Sequence, residues 1–206
     1  MEPGPLPKQR VVPIKNKMRI ISGDLKGSKL YLPKNKDTRP LKDLVKESIF
    51  NLLIHSKGIS FKLEESIILD LFSGTGSFGL ECLSRKAKRV YFIEEKKEVV
   101  EILKKNIEKL KLTKKTKIFH EEVFGLIEKK KFSLQFELIF CDPPFKNSNL
   151  QEIIRLIFER KLLKQNGVII LHRNKKTKEM MPKFFKLIDE RNYGISKIII
   201  GKFLPG

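Results

Sequence analysis

An α/β fold, with a mostly parallel sheet covered by helices on both faces, is what this 206-residue chain predicts. Three observations carry that expectation. Short apolar runs alternate with stretches of helical periodicity from residue 67 onward. A glycine-rich segment, residues 70–79, sits where the first of those runs passes into a helix, the place where open parallel sheets hold their ligands. The length suits one domain, and 40% hydrophobic residues in regular runs supply one sizeable core.

Residues 1–17 hold four of the ten prolines (Pro3, Pro5, Pro7 and Pro13) with Lys8, Arg10, Lys15 and Lys17, and so predict a disordered basic arm. Residues 18–206 are then the domain. Runs 19–22 and 29–32 flank Gly23-Asp24-Leu25-Lys26-Gly27-Ser28 and predict a small β-hairpin. A polar stretch through Thr38-Arg39-Pro40 follows. Leu41, Leu44, Val45, Ile49, Leu52 and Leu53 then recur at helical spacing. Strands are expected at 67–72, 89–94, 136–141 and 167–171, with a weaker one at 117–120. Helices are expected at 78–86, 96–110, 150–160 and 178–191, with a short one ending at Lys129. In the second of these, Val99, Val100, Leu103, Ile107 and Leu110 make one apolar side. A last apolar run, 196–204, follows Asn192-Tyr193-Gly194.

Charge narrows the partners. With 44 Lys+Arg against 24 Asp+Glu the net charge is +20, a field that attracts polyanions, nucleic acid first. Lys, Ile, Asn and Phe are all abundant, as A- and T-rich coding produces, so charge alone admits nucleic acid without specifying it. No apolar stretch approaches the roughly 18 residues of a membrane span, and the N-terminus lacks a secretory signal. Cys82 and Cys141 lie unclustered in apolar segments, so neither a disulfide nor a metal framework is expected and a reducing cytoplasm is the expected compartment. His55, His120 and His172 lack paired ligands and are expected to be structural or solvated.

Two segments carry chemistry. The strand at 136–141 runs into Asp142-Pro143-Pro144-Phe145. The Asp142 carboxylate and a neighbouring backbone carbonyl can accept both hydrogens of a planar amino group. Proline fixes φ and offers no N–H, so the turn presents carbonyls rigidly, and Phe145 can stack on a flat ring. This is what alkylation of a weakly nucleophilic amine needs. In residues 70–79, Gly74, Gly76 and Gly79 form Gly-x-Gly-x-x-Gly, and Glu94 follows Gly74 at the end of the next strand. A dinucleotide and S-adenosylmethionine both use such a loop. Asp70, just before the glycines, would oppose a pyrophosphate but favours an ammonium or sulfonium. Two unit charges ~4 Å apart interact by ~4 kcal/mol at an effective dielectric near 20. With Asp142 at a later strand end, S-adenosylmethionine is the better reading. Gly76 is expected to leave room for its methionine part.

These motifs resemble those of a known family. Residues 70–79 are similar to the methyltransferase cofactor motif, and residues 142–145 to that of enzymes methylating exocyclic or amide nitrogens. Arg19-Ile20-Ile21-Ser22-Gly23, Gly27-Ser28-Lys29-Leu30, Thr38-Arg39-Pro40 and residues 45–51 resemble the RsmD family of bacterial 16S ribosomal RNA guanine-N2 methyltransferases. The resemblance implies a Rossmann-like class I methyltransferase fold with a mostly parallel seven-stranded sheet. It implies that Asp70, Phe72, Gly74, Gly76 and Gly79 contact S-adenosylmethionine, and that Glu94 binds its ribose hydroxyls. Asp142, Pro143 and Phe145 would hold the guanine, while Arg19, Lys26, Lys29 and Arg39 would contact RNA. The partner implied is 16S ribosomal RNA in an assembling small subunit, met by a monomer. The chain departs from the family in two places. The acidic residue expected after the third strand, for the adenine amino group, is represented by Glu121 or Glu122, of which Glu122 is favoured. After the fifth strand, where the family tends to place an acidic residue, stands His172-Arg173.

Three other readings compete. Adenine-N6 methylation of DNA uses a similar turn but needs sequence recognition, usually from an added domain. Glutamine-N5 methylation of a protein fits the basic surface less well. A non-catalytic RNA-binding assembly factor would not require Asp70, Gly74, Gly76, Glu94, Asp142 and Phe145 intact.

Overall fold

A computed structural model describes residues 18–33, 41–60, 62–129, 132–144, 150–178 and 180–204. The expected arm at 1–17, Arg39 and Phe145 lie outside the described residues.

The described residues form a seven-stranded sheet whose apolar runs became strands in the order β3-β2-β1-β4-β5-β7-β6. Here β1 is Ile67–Leu71, β2 Arg89–Ile93, β3 Thr116–Phe119, β4 Phe136–Cys141, β5 Leu163–Asn174, β6 Phe185–Tyr193 and β7 Ser196–Phe203. Pairing is parallel from β3 through β5, and β7 lies antiparallel to both β5 and β6. The helices are α1 (Asp43–His55), α2 (Ser77–Ser84), α3 (Lys97–Lys109), α4 (Val123–Glu128) and α5 (Leu150–Glu159).

Each face of the sheet has its own core, which is why the central strands are apolar at successive positions rather than alternating. Val45, Ile49 and Phe50 of α1, Phe78 and Leu80 of α2, and Leu103 and Ile107 of α3 pack on one face. Leu126 and Ile127 of α4 and Ile153, Ile154 and Ile157 of α5 pack on the other. The chain leaves β1 toward β2 and β3, then returns to β4 on β1's opposite side. That reversal opens a crevice between the carboxyl ends of β1 and β4, the switch point of a doubly wound sheet.

The N-terminal run is smaller than the hairpin expected. A single antiparallel bridge joins Arg19 to Lys29, with Ile20 N–H donating to the Ser28 carbonyl (2.9 Å) and Leu30 N–H to that of Met18 (2.9 Å). Its anchor is a buried carboxylate on α2. Glu81 accepts from the N–H groups of Ile21 (2.8 Å) and Ser22 (2.9 Å). Lys46 of α1 lies 3.4 Å from Glu81 and donates to the Arg19 carbonyl at 2.8 Å. Both side chains are fully buried.

Among the described residues the helix expected at 178–191 is absent: from Phe185 onward they form β6, an edge strand. Phe184, Phe185, Leu187 and Ile188 carry no clean alternation because Ile188 is an extra residue in the ladder. Leu187 faces Gly201 and Asp189 faces Ile200. Such a bulge interrupts the period of two, and the remaining spacing imitates a helix. The turn that returns the chain has two residues, Gly194-Ile195, with Gly194 at φ 61, the left-handed conformation primed hairpin turns demand of glycine.

Candidate active site

One side of the crevice is built by β1, β2 and the loop into α2. Gly76 stands at the N-cap of α2 with φ 84 and no side chain to receive the helix's first N–H groups. Asp70 of β1 takes that role from across the loop, its Oδ2 accepting from Gly79 N–H at 3.0 Å. After β2, Glu94 accepts from Gly74 N–H and from Lys96 N–H, each at 2.9 Å. The loop is thereby tied to two strand ends. Phe72 is held at φ 57, and Ser73 N–H donates to the Ile93 carbonyl at 2.9 Å.

The three glycines have separate duties. A side chain on Gly74 would meet nothing within 4 Å, and Gly74 lines the crevice. A Cβ on Gly76 would come within 2.4 Å of Leu103 Cδ1, and one on Gly79 within 2.4 Å of the Phe92 ring. Gly76 therefore allows α2 to pack on α3 and Gly79 allows it to pack on β2. The room that Gly76 was expected to leave for a ligand is occupied by core.

The other side is the end of β4. Because Leu71 pairs with Cys141, Asp142 emerges beside the β1 loop. Asp70, Glu94, Asp142, Pro143 and Pro144 all line one cavity of about 540 Å³. Met18 and Leu32, on either side of the N-terminal bridge, close one wall, and Phe78 stacks on Phe140 at 4.0 Å beneath it. Exposed Arg19, Lys26 and Lys29 sit in the segment that forms this wall; Arg19 also reaches Asp43 at 3.4 Å.

The electrostatics favour a cation. Burial pushes the Asp70 carboxyl well above the usual carboxylate range; Asp142 and Glu94 add to the shift, and the Gly79 N–H opposes it. A positive ligand would relieve this crowding of acidic groups. Ser73 contributes a buried hydroxyl with no hydrogen-bond partner among the described residues, also lining the cavity. These features fit the zwitterionic, sulfonium-bearing end of S-adenosylmethionine.

Two placements depart from the sequence reading. Glu122 is exposed and caps α4, its oxygens accepting from Phe124 N–H (3.0 Å) and Gly125 N–H (2.9 Å), and the cavity is lined there by Val123. His172, read as structural or solvated, lines the cavity with its Nδ1 2.8 Å from Asp142 Oδ1 and its Nε2 2.9 Å from Ser196 Oγ. Sheet order would have found it. Cys141 pairs with Leu171, so the residue after β4 and the one after Leu171 are neighbours. Among the described residues no group of three or more His, Cys, Asp or Glu is placed to hold a metal ion.

Fold and site together define the class I methyltransferase architecture, a Rossmann-like sheet with its ligand crevice at the β1–β4 switch. Solved structures share it. A putative methyltransferase from Escherichia coli superposes with a TM-score of 0.77 at 26% identity, covering 92% of this chain and 99% of the other. A putative methylase from Haemophilus influenzae gives 0.75 at 32% identity, with the same coverage. The chain belongs to the RsmD family, the group described as conserved hypothetical protein 95, which it matches over residues 18–202. Among its relatives, a protein of H. influenzae named ribosomal RNA small subunit methyltransferase D is 34% identical over 88% of this chain and 91% of its own length. A putative ribosomal RNA methyltransferase of Bacillus subtilis is 33% identical over 90% and 98%.

Proposed function

We propose that this chain is an S-adenosylmethionine-dependent methyltransferase that methylates the exocyclic N2 of a guanine in 16S ribosomal RNA. The observation that carries the reading is the register of β1 against β4, which opens Asp70 and Asp142 onto one cavity. Relatives named for small-subunit ribosomal RNA methylation supply the substrate class, and the +20 net charge suits it. The substrate is the RNA within an assembling small subunit in the bacterial cytoplasm, and the enzyme acts as a monomer.

When bound, S-adenosylmethionine supplies an electrophilic methyl group on a sulfonium. Asp70, Ser73 and Gly74 receive its charged end, and Glu94 keeps acceptor capacity for ribose hydroxyls beside its two backbone bonds. Asp142 would take one amino N–H of the base and the Pro143 carbonyl the other. Those bonds would weaken the conjugation of the amino lone pair and orient it for attack on a bound methyl donor. The proton released after transfer leaves to water or to the Asp142 carboxylate.

Asp142→Ala is expected to lower methyl transfer by about 100-fold or more, about 3 kcal/mol, with cofactor affinity retained. The assay offers labelled S-adenosylmethionine with separate pools of small ribosomal subunits lacking the modification, DNA and protein, and maps the labelled nucleotide. Label on DNA, on protein or on no pool would reject the reading.

A further inference from the structure

Asp142 does not stand alone at the end of β4. His172 Nδ1 approaches its Oδ1 at 2.8 Å, and Ser196 Oγ lies 2.9 Å from His172 Nε2. All three residues line the cavity, although 30 and 24 residues separate the successive partners. An ionised carboxylate only accepts hydrogen bonds, so Nδ1 carries the hydrogen toward Asp142 whether the ring is neutral or charged. In the neutral ring, Nε2 then accepts from the Ser196 hydroxyl. Ser196 is the first residue of β7, held in the ladder between Asn174 and Tyr193. The chain of bonds therefore runs from rigid sheet to the carboxylate.

We infer that His172 is a positioning residue for methyl transfer, holding Oδ1 of Asp142 so that Oδ2 is presented to the target amino group. This rests on Asp142 receiving that group. A half-buried carboxylate on a strand end can rotate about its side-chain bonds; one oxygen fixed by a neighbour leaves the other a defined direction. The same Asp–His–Ser order serves acyl transfer where the serine occupies a strained elbow beside backbone donors. Ser196 instead opens a paired strand, so the direction of use here is toward the carboxylate.

The test compares His172→Asn with His172→Leu, because the asparagine amide places an N–H where histidine has Nδ1–H and leucine removes it. Methyl transfer from S-adenosylmethionine to small ribosomal subunits lacking the modification is measured, with cofactor affinity read separately by calorimetry. Leucine is expected to lower kcat by about 10- to 100-fold, the scale of a hydrogen bond to a charged group, with cofactor affinity and KM for the subunit unchanged. Asparagine is expected to restore most of kcat. Equal turnover by the two variants, at any level, would overturn the inference. Should the leucine protein fail to fold, His172→Gln replaces it: its amide reaches toward Ser196 and leaves Oδ1 unheld, so its kcat is expected to fall below that of asparagine, and equality again overturns the assignment. Asp142→Ala is run alongside. Full turnover in that variant rejects the catalytic reading of Asp142 itself, whereas loss there with indifferent His172 variants rejects only the role given to His172.

Discussion

Asp70 shows how one side chain ties the scaffold to the cavity. Its carboxylate completes the N-terminus of α2, yet burial raises its proton affinity well beyond the usual range. The folded protein favours the protonated form of this carboxyl more than the unfolded chain does. Native stability from this group is therefore present at low pH and falls as pH rises from the ordinary carboxylate range through the raised value. A cationic cofactor favours the ionised form, so its affinity is expected to rise with pH over that window, with proton release on binding. Calorimetry in buffers of different ionisation heat measures the released proton; Asp70→Asn should abolish the release, and its persistence would mean another group is responsible. Asp70, Glu94 and Asp142 were legible in the sequence because each sits at or next to a strand end that its own apolar run announces. His172 and Ser196 were not. Their meaning depends on β5 lying beside β4 and on β7 lying beside β5, and no local pattern encodes those neighbours.

Helix α2 joins the cavity loop to the N-terminal segment. Its first turn receives Asp70, and Glu81 further along holds the N-terminal segment through Ile21, Ser22 and Lys46. Burial lowers the proton affinity of Lys46, with Glu81 and Asp43 opposing. Removing one member of such a buried pair leaves the other charge without compensation. Glu81→Leu also orphans two backbone donors. We expect it to destabilise the protein by about 3–5 kcal/mol, measured by denaturant unfolding, and to free residues 18–33 for proteolysis. A loss under about 1 kcal/mol, the scale of an exposed pair, would show the clamp to be incidental. The helices and most strands could be read from periodicity. Strand β6 could not, because its bulge at Ile188 erases alternation and its edge position leaves one side polar. The short turn Gly194-Ile195 was the clue available, and it outweighs the apparent helical spacing before it.

Across the whole molecule, positive charge outnumbers negative by 20, and the exposed Arg19, Lys26 and Lys29 belong to the segment walling the cavity. If these residues neutralise phosphates together with Arg39 and the arm's Lys8, Arg10, Lys15 and Lys17, RNA affinity must fall steeply with salt. Eight such contacts would give a log–log slope of about −6 for single-stranded RNA. Filter binding from low to moderate salt checks this, and deleting residues 1–17 should make the slope shallower; a flat response would leave the lysines as coding bias. The doubly wound architecture was legible from the alternation of runs alone, whereas of the closing antiparallel pair only β7 was seen, as a final run, and β6 was read as a helix. That pair has an evolutionary consequence. Since β7 travels against its neighbours, it begins where they finish, and Ile195 and Ser196 join the cavity wall from a turn of two residues. Insertions in that turn would reshape what the enzyme accepts without disturbing how it holds the methyl donor. Relatives that diverge in target should therefore differ at this C-terminal corner sooner than at the glycine loop.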